Sequence, residues 1–209
     1  ATCISSASMD LAQIVTEMET AYRAGKRVVR LHTGDPSLYG ATFEQMGELD
    51  RRGIEYRMIP GVTAAFAAAA AMGVEYTLPQ ISQTLILTRM GGKTPVPEAE
   101  SLEALARHRA SMAIYLSVGL VDKVAAALSA HYGEDAPCAV AYKVSQPEEK
   151  ILRTTVGGLV EAVQAAAVDR QALIIVGEVL RVSAQKMTHK SRLYDSGFSH
   201  GYRKGDGGR

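Results

Sequence analysis

The sequence predicts an α/β protein built from two α/β domains. Three observations carry this. Short β-branched runs alternate with stretches whose apolar residues recur at helical spacing. Gly- and Pro-marked turns close the runs, as at Gly34-Asp35-Pro36 and Pro60-Gly61. The pattern restarts near Gln83, and beyond it two strands are joined only by Lys143–Glu149, too short for a crossover helix, so they form an antiparallel pair. A boundary near Leu78–Gln83 gives an N-terminal domain of residues 1–82, a C-terminal domain of residues 83–180 and a polar, Gly-rich tail over 181–209.

Residues 9–22 place Leu11, Ile14, Val15, Met18 and Tyr22 on one stripe opposite Glu17 and Glu19. This predicts an amphipathic helix capped by Ser8 and stopped at Gly25. Arg27–His32 reads as a buried strand. In the turn after it, Gly34 admits a close backbone approach, Pro36 fixes φ, and Asp35 caps the turn or accepts from a ligand. Phe43, Met46 and Leu49 predict a helix over 39–52 that ends at Gly53, before a second strand at Glu55–Ile59. Pro60-Gly61-Val62-Thr63 then leads into an alanine-rich helix to Met72, whose small side chains let either a ligand or a packing neighbour close to the backbone. Strands are expected at 84–88, 112–116, 138–142, 150–154 and 172–177, and helices at 102–107, 121–131 and 156–168.

Composition narrows the function classes. The 209 residues suffice for a real core, and 47% apolar residues is ordinary for a soluble protein. A formal charge of +1, with both signs interspersed, lacks the concentrated basic face of a nucleic-acid binder. The longest apolar run, near Val62–Met72, falls short of the roughly 20 residues that span a bilayer. Ala1–Ser8 lacks the basic start and apolar stretch of a signal peptide. His32, His108, His131, His189 and His200 show no ligand spacing, and Cys3 and Cys138 stand alone. No metal site or disulfide framework is therefore expected, and the reading is cytoplasmic.

Taken in order, HTGDPSLYG, IPGVTAAFAAAAA, QTLILTR followed by GGKTPVPE, and LIIVGEVL resemble the tetrapyrrole methylases over nearly the whole chain. The TPVPE loop and the segment Ser191–His200 are most similar to members acting on C-11 of precorrin-4 in cobalamin synthesis. The resemblance implies an S-adenosylmethionine-dependent methyltransferase with its active site in the cleft between two domains, a small-molecule tetrapyrrole substrate and a homodimer. A different substrate of the same family, or a catalytically inactive fragment, are the alternatives. Family members open with a strand, a Gly-rich loop and a second strand that have no counterpart here. The N-terminal domain is therefore expected to be incomplete. The strands at 28–32 and 55–59 are expected not to pair with each other, since the family sets another strand between them.

For the donor, the resemblance implies contacts from Thr33, Gly34, Asp35 and Leu38, from Thr63 and Ala64, and from Leu116, Tyr142, Lys143, Val144, Gly177 and Leu180. A sulfonium methyl is already activated, so the task is to hold carbon, methyl and sulfur in line. The substrate is a polycarboxylate, for which Arg89, Lys93, His32 and Tyr39 are the candidate contacts. Arg89, at a strand end, is the favoured carboxylate fork. His32 either shuttles a proton or is hydrogen-bonded scaffolding.

Overall fold

A five-stranded mixed sheet carries the larger part of the protein. The computed structural model describes residues 1–182 and 191–205, so parts of the expected tail, 183–190 and 206–209, lie outside the described residues. The chain divides into two compact units, residues 1–63 and 64–209. The segment 64–82, read from sequence with the first half, packs with the second.

In the second unit the strands are β1 (Leu85–Arg89), β2 (Ser111–Tyr115), β3 (Pro137–Tyr142), β4 (Lys150–Thr155) and β5 (Ala172–Val176). Each lies within one residue of its expected bounds. Their order is β1-β2-β5-β3-β4. β1 and β2 are parallel, β5 runs antiparallel to both β2 and β3, and β3 and β4 form the expected antiparallel pair. The most apolar run, Leu173-Ile174-Ile175-Val176, takes the central place because a strand paired on both edges and covered on both faces exposes nothing.

Side chains alternate across the sheet. Met112, Ile114, Cys138, Val140, Ile174 and Val176 face one core, closed by α4 (Leu102–Ala106), α5 (Val121–Tyr132) and α6 (Leu159–Ala165). Ala113, Ala139, Ala141, Leu173 and Ile175 face the other, closed by α3 (Ala64–Met72). Ala65, Ala68 and Ala69 of α3 are buried against these strands, so alanine meets alanine and the helix lies close to the sheet. Packing is thus what the buried face of the alanine run does, while Ala64, Ala70 and Ala71 stay exposed. Arg153 of β4 donates to the Met72 carbonyl at 3.0 Å, satisfying a group that the end of α3 leaves open.

The first unit is built differently. α1 (Leu11–Arg23) begins with a reciprocal capping box, in which Asp10 accepts from the Gln13 amide and Gln13 from the Asp10 amide. Asp10, not Ser8, is therefore the cap. α2 (Thr42–Arg51) starts later than expected, because Tyr39 and Ala41 adopt left-handed conformations in the preceding turn. α1 and α2 share a small core of Val15, Leu49 and Ile54, edged by Glu19, Glu48 and Arg52 ion pairs.

The strands expected at 28–32 and 55–59 are not formed; among the described residues the first unit has no strand. Both segments lie along a groove of about 1070 Å³, lined also by Met18, Met46 and Leu49. They do not pair with each other, as the resemblance implied. A strand exists only as part of a ladder, and these β-branched residues lack a neighbour at the ~4.8 Å pairing distance.

Candidate functional site

Two turns meet in the first unit. The Asp35 carboxylate accepts from the Ser37 amide at 2.9 Å, from the Ser37 hydroxyl, and from the Gly61 amide at 2.9 Å. The Ser37 hydroxyl is the largest of the influences holding its pKa below the ordinary carboxylate value, followed by the Gly61 and Ser37 amides. Asp35 thus ties Thr33–Gly40 to Pro60–Thr63 as a turn cap. At Gly61 the turns approach so closely that a Cβ would overlap the Gly34 carbonyl oxygen. Thr33 and Gly34 stay exposed at this junction, Leu38 is half-buried and Thr63 is buried.

His32 lies at the same turn, half-buried. Burial, and then the Arg30 guanidinium, lower its pKa, so its imidazole is neutral at pH 7. Both shifts have the same consequence. The unfolded chain takes up a proton on His32 as pH falls through 6.5, and on Asp35 through 3.8, before the folded unit does. Acid is therefore expected to loosen this junction in two steps, with Asp35's contribution intact above its ordinary value and lost as pH falls through its lowered folded one. The Gly61 amide reports this by NMR exchange: Asp35→Asn should abolish the lower step and leave the His32 step.

In the second unit one end of the sheet gathers most of the expected residues. Arg89 pairs with Tyr115 across the β1–β2 ladder, Leu116 follows Tyr115, and Tyr142–Val144 close β3 at the same end. Leu116 and Tyr142 end strands two places apart, a span of ~10 Å. Leu116 is left-handed (φ 53°) with its side chain 72% exposed, and Lys143 (φ 46°) and Ser145 (φ 69°) are left-handed too. Such conformations cost about 1–3 kcal/mol each; at Lys143 the main chain is used locally, its amide donating to the Gln171 carbonyl and its carbonyl accepting from the Gln146 amide. Lys143 itself points back, 5.5 Å from the Tyr142 ring centroid and 3.9 Å from the Glu148 carboxylate.

The start of α3 belongs to the same end. The Tyr115 hydroxyl accepts from the Ala65 amide at 2.9 Å, and the Tyr76 hydroxyl donates to the Ala65 carbonyl at 2.7 Å. Ala64 is left exposed at the helix start. Sequence reasoning missed Tyr115, because an aromatic closing a strand looks like any core residue. It also missed Ser117, fully buried, which accepts from the Met90 amide and donates to the Tyr115 carbonyl, pinning the ends of β1 and β2 together.

Two expectations change. Arg89 is not a free fork: its guanidinium donates to the carbonyls of Thr94 and Pro95 at 3.1 and 2.8 Å, and so holds the loop that carries exposed Lys93. Gly177 and Leu180 are not brought together with Leu116 and Tyr142. β5 runs antiparallel, so Gly177 emerges beside Ser111 and Pro137 at the opposite end, ~17 Å along the strands. Gly177 has a packing reason of its own, since at φ 147° a Cβ would press on the Ser111 Cα. Among the described residues no three His, Cys, Asp or Glu side chains gather to hold a metal ion, and no helix is long and apolar enough to cross a membrane.

Residues 4–160 match the family model of the tetrapyrrole (corrin/porphyrin) methylases. The chain is 50% identical over 200 residues to the cobalt-precorrin-4 C(11)-methyltransferase of Methanocaldococcus jannaschii, covering 95% of this chain and 76% of that protein. It is 47% identical over 203 residues to the precorrin-4 C(11)-methyltransferase of Pseudomonas aeruginosa, covering 97% of this chain and 80% of that one. Among solved structures, a cobalt precorrin-4 methyltransferase superposes with a TM-score of 0.82 at 47% identity, over 85% of this chain and 74% of that one. The uroporphyrin-III C-methyl transferase of Thermus thermophilus, complexed with S-adenosyl homocysteine, superposes with a TM-score of 0.68 at 25% identity, over 82% of this chain and 75% of that one.

Proposed function

Because this chain belongs to the tetrapyrrole (corrin/porphyrin) methylase family, we propose that it transfers a methyl group from S-adenosylmethionine to C-11 of precorrin-4 or cobalt-precorrin-4. The match to relatives of that activity, over 95% and 97% of this chain and 76% and 80% of theirs, carries the reading. S-adenosylmethionine supplies a sulfonium methyl, which a nucleophilic ring carbon takes by SN2 displacement, leaving S-adenosylhomocysteine.

The chain's own residues bind and orient. In the first unit we assign donor contacts to Thr33, Gly34, Leu38 and Thr63, with Asp35 fixing the turn that presents them. In the second we assign them to Ala64, Leu116 and Tyr142–Val144. The chemistry fits: an exposed small side chain opens α3, and the exposed Leu116 ends its strand about 10 Å from the end of β3, within a nucleoside's reach. Gly177 and Leu180 are left out of this set. His32, neutral at pH 7, suits a proton acceptor. Tyr39 and Lys93 are assigned to the acceptor, and Arg89 holds the loop that aims Lys93. We place the enzyme in the cytoplasm as a homodimer, which sedimentation of the purified protein tests.

Calorimetry with S-adenosylhomocysteine, followed by transfer of labelled methyl to precorrin-4, tests the reading; absence of donor binding overturns it. Ala64→Leu should weaken S-adenosylhomocysteine by about tenfold, the size of a modest steric clash, without lowering Tm. Unchanged affinity would leave the whole alanine run to packing. Arg89→Ala should lower tetrapyrrole turnover about tenfold with donor affinity kept, as the Lys93 loop loses its anchor. Arg89→Lys should restore only part, because one ammonium lacks the planar fork that holds both carbonyls. Equal loss of donor affinity would instead make Arg89 a residue of the general scaffold.

A further inference from the structure

We infer that residues 191–205 are a binding element for the tetrapyrrole, with Tyr194 and Tyr202 stacking on the macrocycle and Arg192 and Lys204 meeting its carboxylates. This rests on the macrocycle reading above and adds residues that it does not use. The segment organises itself almost wholly through polar contacts. The Arg203 guanidinium donates to the Leu193 and Asp195 carbonyls at 2.8 and 2.6 Å, and His200 and Arg203 exchange both of their backbone hydrogen bonds. The Asp195 carboxylate accepts from the Gly197 amide, and the Ser199 hydroxyl from the Gly205 amide.

This scaffold turns its largest apolar side chains outward. Leu193 is 48% exposed, Phe198 38%, Tyr194 83% and Tyr202 100%. Exposed aromatic side chains gathered in one short segment mark a contact element. Charge decides what the surface takes. The segment holds Arg192, Arg203 and Lys204 against Asp195 alone. Arg203 is consumed by the scaffold, whereas Arg192 and Lys204 are exposed with no ion-pair partner among the described residues. His200 accepts the Tyr202 amide on Nδ1, which leaves Nε2 to donate when the ring is neutral. Flat π faces flanked by cationic donors complement a conjugated ring rimmed with carboxylates, through stacking and charge-assisted hydrogen bonds.

Uroporphyrin, a stable polycarboxylate macrocycle, is the probe, titrated into the purified chain and followed by its absorbance. Arg192→Glu/Lys204→Glu and, separately, Tyr194→Ala/Tyr202→Ala should each weaken it about tenfold, with Tm unchanged because these side chains are exposed. Raising salt to about 1 M should erase most of the charge-reversal effect and little of the tyrosine effect. Unchanged affinity in both variants, or no porphyrin binding by the parent chain, overturns the inference. So does a loss of self-association in the tyrosine variant with porphyrin affinity kept, which would make the element a contact between copies. S-adenosylhomocysteine binding, measured in parallel, keeps the two readings apart: it can fail while the tail effect stands, or stand while the tail effect fails.

Discussion

Gly61→Ala is expected to cost this protein its donor affinity. The added methyl would sit inside the van der Waals envelope of the Gly34 carbonyl oxygen and close to the Gly34 carbonyl carbon and Asp35 Cα. These are backbone atoms, with no flexible side-chain end to yield, so the two turns must part. Parting them breaks the Gly61 amide's bond to Asp35, which also holds Ser37. Displacement of this kind costs about 1–3 kcal/mol, so S-adenosylhomocysteine should weaken roughly tenfold to a hundredfold. The central sheet belongs to the other unit, and its melting should not move. Full donor affinity in Gly61→Ala would show that the junction yields without consequence, and would remove Thr33 and Gly34 from the donor assignment.

Most of the second unit was legible in the sequence because its strands obey local rules. The apolar run 172–176 read as a strand from composition alone, and the short link at 143–149 announced the antiparallel pair. Long-range geometry was not legible. Nothing in Gly177 and its neighbours says that β5 runs against β2 and β3, and that single reversal carries Gly177 and Leu180 away from Leu116 and Tyr142. Nor does an arginine at a strand end reveal that its fork will meet carbonyls of its own loop. The Asp35–Gly61 tie joins residues 26 apart, and only the fold makes them neighbours. Tyr115 was hidden for the same reason, since its hydroxyl serves a helix 50 residues earlier in the chain.

The segments 27–32 and 55–59 show the opposite failure, in which local preference is right and the partner is wanting. Their residues favour strand, yet no ladder forms, and among the described residues the 28–32 and 55–59 amides donate no backbone hydrogen bond. The unit that holds them has Val15, Leu49 and Ile54 as its buried core, whereas β5 is paired on both edges and Ile174 is fully buried. Amide exchange should therefore divide sharply. Amides of 27–32 and 55–59 should exchange within about tenfold of an unstructured chain, while those of β2, β3 and β5 should be slowed by roughly 10⁴-fold or more, since they open only with the global unfolding of the sheet. Protection should begin at α3, because Ala65, Ala68 and Ala69 are buried on the sheet and Tyr76 bonds the Ala65 carbonyl. Strong protection at Val28–Leu31, measured where sedimentation shows a monomer, would mean that these residues find a ladder partner in solution and would overturn this division.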